Sequence, residues 1–139
     1  MNWLYIQSVL PQFYQATFTT LKISLIAIIL SIIVGLLCSI ILNNRIFILN
    51  KIVAIYIELS RNTPLLIQLF FLYYGLPKLG IKIDGFTCGI IGLTFLGGSY
   101  MAEVFRAGLQ SVSKGQIDSA KSVGLSPLQV FRYVTLPQA

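Results

Sequence analysis

An uninterrupted apolar run dominates the chain. Ile23 to Leu42, ISLIAIILSIIVGLLCSIIL, contains no charged residue. An α-helix rises 1.5 Å per residue, so this run reaches about 30 Å, the hydrocarbon thickness of a bilayer. Each Leu or Ile favours insertion by roughly 0.3–0.6 kcal/mol. The residues ahead of it carry no positive n-region and the run exceeds a signal h-region, which predicts a retained span (21–42). A second apolar run, Leu65 to Leu76, is too short to cross at about 18 Å. Extended upstream through Ile52, Val53, Ile55, Tyr56 and Ile57, it becomes a span over 53–76 that carries Glu58 and Arg61 into or near the membrane. Those two lie three apart and share a helix face. Thr63-Pro64 reads as a helix start with Thr63 as N-cap, or as a kink, and Pro77 as the close of the span. The third span, 85–104, is rich in Gly, Ser and Ala. Gly85 and Gly89, and Gly98 and Ala102, are spaced four apart, which lets helices approach closely in lipid.

Composition agrees with lipid as the solvent. The 139 residues are 56% hydrophobic and 10% charged, against about 25% charged in soluble domains. The net charge of +6 does not point to nucleic acid, because the Lys and Arg residues are scattered from Lys22 to Arg132. Their placement sets an orientation instead. Segment 1–20 has none, 43–64 has Arg45, Lys51 and Arg61, 77–84 has Lys78 and Lys82, and 105–139 has Arg106, Lys114, Lys121 and Arg132. The positive-inside rule places the N-terminus outside and 105–139 in the cytoplasm. Cys38 and Cys88 then lie near opposite faces, too far apart for a disulfide. With no His and no paired cysteines at ligand spacing, a metal or haem centre is not expected. The aromatic-rich stretch 1–19, with Trp3, Tyr5, Phe13, Tyr14 and Phe18, reads as an interfacial helix. No internal repeat stands out.

The segment Ser113 to Ala139, SKGQIDSAKSVGLSPLQVFRYVTLPQA, has the grammar of two short helices. Ser113 and Gln116 are spaced as a capping box, Gly124 is a natural stop, and Ser126, Pro127 and Gln129 supply N-cap, N1 and N3 of the second helix. Pro137 is expected to end it. Ile117 and Ala120 put a small apolar face on the first helix beside Asp118 and Lys121, a face suited to a groove on a partner.

These residues carry a resemblance. Importer permeases of the ATP-binding-cassette superfamily share a cytoplasmic motif: Glu-Ala-Ala, three residues, Gly, nine residues, Ile, one residue, Leu-Pro. Here it aligns as Asp118-Ser119-Ala120, Gly124, Val134 and Leu136-Pro137, with every spacing kept. The runs ELSRNTPLLIQLFFLYYGLP (Glu58 to Pro77) and Tyr100 to Ala139 resemble permeases for polar amino acids of the histidine, arginine and glutamine type. The resemblance implies an all-α, multi-spanning, type-1 importer permease fold over 20–139. It implies five spans in a whole permease, of which this chain holds three, so the chain is read as truncated at its C-terminal side. It also implies a bacterial inner-membrane location, a cytoplasmic ATPase subunit that alone binds ATP, a second permease subunit, identical or not, and an external solute-binding protein. Coupling to the ATPase is expected from Gly115, Gln116, Asp118, Ser119, Ala120, Gly124, Leu136 and Pro137. No GxxxxGK[ST] phosphate loop occurs in the chain.

Ionisable groups in spans are functional candidates because burying them is costly. Glu58, Arg61 and Glu103, with Thr63 and Gln68 as polar neighbours, are the candidates for contact with a zwitterionic substrate. The competing reading makes Glu58–Arg61 and Glu103–Arg106 structural ion pairs, each three apart. A membrane-bound enzyme lacks a nucleophile–base pair here. An assembly subunit would explain the spans but not the loop spacing, and permeases for other solutes share the motif.

Overall fold

A computed structural model describes residues 3–43 and 47–139. Arg45, counted among the positive loop residues, and the first two residues of the 1–19 segment lie outside the described residues. Helix α1 runs without interruption over Trp3–Asn43. The interfacial stretch and the first span are therefore one helix of 41 residues, about 60 Å long, twice the hydrocarbon thickness. Helix α2 covers Phe47–Asn62 and α3 covers Leu65–Phe70. The chain continues from α3 through a π-helical turn, Phe71–Gly75, and a 3-10 turn, Leu76–Leu79. Helix α4 spans Gly85–Ser111, capped by the Asp84 carboxylate, which accepts from the Thr87 amide and hydroxyl. Helices α5 (Lys114–Ser122), α6 (Pro127–Val130) and α7 (Leu136–Gln138) follow, with a second π-helical turn at Phe131–Thr135 between the last two. No strand occurs among the described residues.

Helices α1 and α4 form the main packing unit, and small residues bring them together. Ala27, Ser31, Gly35, Cys38 and Ser39 recur on one face of α1 and are buried. Cys88, Gly92, Gly98, Ser99 and Ala102 are the buried positions of α4. A side-chain carbon at Gly35 would lie 2.9 Å from the Ala102 backbone nitrogen, and one at Gly98 would lie 2.8 Å from both the Tyr56 hydroxyl and Val34. In lipid, where apolar burial drives little association, such close approach supplies the van der Waals contact. The Gly98–Ala102 pair therefore acts as expected. Gly85 and Gly89 stand at ordinary distances from their neighbours and do not form a tight seam. Cys38, Val53, Ile57 and Ala102 make a small core where α1, α2 and α4 meet. Both cysteines are free thiols.

Three local expectations are corrected. Thr63 does not cap α3. Its hydroxyl donates back to the Leu59 carbonyl, and Pro64, in an extended conformation (ψ 137), occupies the cap position. Neither Pro77 nor Pro137 ends its helix. Each is preceded by a π-helical turn in which Leu76 donates to the Phe71 carbonyl, or Leu136 to the Phe131 carbonyl, and helical structure continues past both prolines. A proline lacks an N–H and its ring strikes the carbonyl four residues back, so a wider turn ahead of it relieves both problems. The two segments also share a local sequence pattern, F-x-Y-x-x-L-P, a short echo that the sequence reading missed.

Candidate functional site

The four charged groups nearest the end of the spans converge on one cleft. Helix α2 contributes Ala54, Ile57, Glu58, Arg61 and Asn62, α4 contributes Tyr100, Glu103 and Arg106, and α1 contributes Leu42. The cleft has a volume of about 500 Å³. Residues at i and i+3 share a helix face, which is why Tyr100, Glu103 and Arg106 line one wall and Glu58 and Arg61 the other.

The expected pairings hold only in part. Glu103 and Arg106 form an ion pair at 3.3 Å on α4. Glu58 and Arg61 do not pair. The Arg61 guanidinium crosses to the other wall, 3.7 Å from the same Glu103 oxygen and 5.2 Å from the Tyr100 ring. A long guanidinium finds both a carboxylate and an aromatic face on α4, whereas Glu58 offers only the first. One Glu103 oxygen thus serves two cations, and Glu58 is left without an ion-pair partner among the described residues. The paired side chains are roughly a third or more exposed, so each pair contributes about 0.2–1 kcal/mol, and the charges stay available to an entering ligand. The arrangement suits a molecule carrying one positive and one negative group.

Thr63 and Gln68 are placed apart from this cleft. The Gln68 amide nitrogen donates to the Ser60 carbonyl at 3.0 Å and the Thr63 carbonyl at 2.9 Å. Both residues serve the helix break at Pro64. Sequence reading passed over the polar link between α2 and α4: the Tyr56 and Ser60 hydroxyls both donate to the Phe95 carbonyl, at 2.7 and 2.9 Å. It also passed over Asn62 and Tyr100. A reading of residues one turn from each charge would have found Tyr100.

The segment Ser113 to Ala139 is a compact helical pair. Ser113 accepts from the Gln116 amide. Gly124, at φ 85, closes α5 with Gly124 N–H donating to Lys121 and Leu125 N–H to Ala120, the two bonds of a Schellman turn. Ser126 and Gln129 form a reciprocal capping box, with bonds of 3.4 and 2.8 Å. The apolar face of α5 does not point outward as expected. Ala120 is buried and Ile117 half-buried, and α5 packs against α6 and the turn that follows it, where Val130 and Thr135 are also buried. A 9-residue helix has too little surface to hold its place without that contact. The surface left open is polar, Gly115, Gln116, Asp118 and Ser119, ending in two exposed apolar side chains, Val123 (77% exposed) and Leu128 (75%). Helix α7 folds back onto α4, where a side-chain carbon at Gly108 would lie 2.8 Å from the Ala139 carbonyl oxygen.

Comparison with known proteins places this geometry. The chain is 40% identical over its full length to the probable amino-acid permease protein YxeN of Bacillus subtilis, and it spans 63% of that relative. It is 36% identical, over 97% of its length and 62% of the relative's, to the probable glutamine ABC transporter permease protein GlnP of the same organism. A solved structure described as an amino acid ABC transporter with histidines superposes with a TM-score of 0.88 and 34% identity, over 99% of this chain and 64% of that one. This chain therefore spans a little under two thirds of the relatives it matches. Residues 27–139 match the family described as binding-protein-dependent transport system inner membrane component, and the chain is a member of that family.

Proposed function

We propose that this chain belongs to the permease subunit of an ATP-driven importer for polar amino acids, that its cytoplasmic helix pair couples to an ATPase subunit, and that the cleft between α2 and α4 contacts substrate. The observation that carries the reading is the helix pair Ser113 to Ala139. It keeps every spacing of the importer loop motif and presents Gly115, Gln116, Asp118, Ser119, Val123 and Leu128 on its open face. Relatives named as amino-acid and glutamine permeases support the substrate class. The expected partners are a cytoplasmic ATPase, a second permease subunit and an external solute-binding protein, with the N-terminus outside and ATP bound only by the ATPase.

In the cleft, Glu58 is the group for a substrate ammonium, because its carboxylate is the one not engaged by an arginine. Arg61 and Arg106, sharing one carboxylate, are the groups for a substrate carboxylate. Crosslinking from a cysteine at position 118 in the full-length complex tests the coupling face: an adduct to the ATPase is expected, and its absence overturns the assignment. Reconstituted uptake with competing amino acids tests the substrate class. Glu58→Gln is expected to raise KM for uptake at least tenfold, the scale of a lost charge-assisted hydrogen bond. A second reading rests on the Arg61–Glu103–Arg106 contacts, which make that triad a structural tie between α2 and α4. Unchanged substrate binding in Arg61→Gln with Glu103→Gln would establish it.

A further inference from the structure

The broken second span raises a question that the cleft alone does not answer: what holds Arg61 and Glu58 in place one turn from a helix break. Pro64 has no N–H, so the Ser60 carbonyl, four residues back, loses its helical donor. An unpaired carbonyl in a membrane-embedded segment is costly, and a nearby side chain commonly replaces the donor. Here that side chain is Gln68. Its amide nitrogen spans the break, donating to Ser60 on one side and to Thr63 at the turn itself. Ser60 is fully buried, and its hydroxyl donates to the Phe95 carbonyl of α4. The chain of contacts thus runs from Gln68 in α3, through the last turn of α2, to α4. Arg61 sits next to Ser60 and reaches Glu103 on the same face of α4. The Gln68 carbonyl oxygen is buried with no hydrogen-bond partner, beside an apolar cavity of about 380 Å³ lined by residues including Leu59, Ile67, Phe71, Ile91 and Phe95. The amide therefore has both its bonds on one side, across the break.

We infer that Gln68 is a positioning residue for the cleft: it clasps the Pro64 break with its amide N–H groups and so sets where the last turn of α2 presents Glu58 and Arg61. The inference builds on the transport reading only for its uptake arm. Gln68 does not touch the cleft, and α3 separately packs on α4 through Leu69 against Gly92. Loss of the clasp loosens the angle between α2 and α3 without removing α3 from its site.

The clasp has a specific genetic signature, because its task exists only while residue 64 lacks an N–H. Gln68→Leu keeps the bulk and removes both donors. In the full-length transporter it is expected to raise uptake KM about tenfold, with assembly with the ATPase retained. In a Pro64→Ala background, where residue 64 can donate to Ser60 itself, the same substitution is expected to change KM less than twofold. Leu72→Ala, which alters the same cavity without touching the clasp, should leave KM unchanged. A second arm needs no substrate. Spin labels at Ile55→Cys and Tyr74→Cys, with Cys38 and Cys88 replaced by alanine, should give a narrow distance distribution that broadens in Gln68→Leu and narrows again when Pro64→Ala is added. A distribution indifferent to Gln68, or a Gln68→Leu effect of equal size with and without Pro64, overturns the inference. If amino acids are not the substrate, the uptake arm fails in the parent protein as well, while the distance arm still decides.

Discussion

Phe71–Pro77 and Phe131–Pro137 carry the same pattern, F-x-Y-x-x-L-P, and fold the same way locally. Each makes a π-helical turn of five residues, closed by the N–H of the leucine ahead of proline. Their surroundings differ. The first is entered without a side-chain cap, its break clasped by Gln68, and it finishes in a 3-10 turn closed by Gly80 at φ 87. The second is entered through the Ser126–Gln129 capping box, and its continuation is docked on α4 at Gly108. The pair shows that proline here shapes a turn rather than stopping a helix. What terminates or anchors each segment is supplied from outside the pattern.

That comparison can be broken at its largest difference first. Gly108→Leu should strip the docking from the second segment only, costing about 1–3 kcal/mol as an overpacked contact. Thermal unfolding in detergent would show a lowered midpoint. A change within the first segment, Gly75→Leu, meets only the movable Phe71 ring, 3.0 Å from the added side-chain carbon, and should cost far less. A similar loss at both sites would mean that the docking on α4 is not what separates them.

Entry comes next. Ser126→Ala removes one half of the capping box and should cost about 1 kcal/mol, seen as faster amide exchange at Gln129 with α4 unaffected. Unchanged exchange there would show that packing on α5, not the cap, defines the start of α6.

The prolines themselves should matter less. An unrelieved proline inside a helix costs about 3 kcal/mol or more. If the wide turn absorbs that cost, Pro77→Ala and Pro137→Ala should each stabilise by under about 1 kcal/mol. A gain of the full amount at either site would show that the turn relieves nothing.

The smallest effect belongs to the loop beyond the first segment. Hydrogen bonds from the Thr87 hydroxyl and amide hold the Asp84 carboxyl below its usual range. Because the folded-state pKa lies below the unfolded one, this contribution is fully present above about pH 4 and is lost as pH falls through the folded value. Asp84→Ala should flatten that part of the pH–stability profile. A profile of unchanged slope would assign it to other carboxylates.

Much of the molecule is legible from the chain because it rests on local rules. Ile23 to Leu42 must be a helix in lipid, and Ser113, Gly124, Ser126 and Gln129 each satisfy a helix end through their own neighbours in sequence. Candidate charges were legible as well, since few ionisable residues fall in the spans. Their partners were legible only within one helix, as for Glu103 and Arg106. Arg61 lies three residues from Glu58 and 42 from Glu103, and it is Glu103 that it meets. Spacing along one helix describes only that helix's own face and says nothing about what the next helix brings opposite.

The sequence by itself therefore determined the apolar first span, the cap of α6 at Ser126 and Gln129, the turn at Gly124 and the family, all of which depend on contacts within a few residues or on the spacing of a motif. Tertiary structure alone decided that Ile117 and Ala120 face inward, that Gln68 bonds across the Pro64 break and lies outside the cleft lining, and that one Glu103 oxygen is shared by two arginines. The physical reason is reach. A hydrogen-bonded turn is settled within about five residues, whereas a side chain's partner depends on how small residues such as Gly35 and Gly98 let whole helices approach.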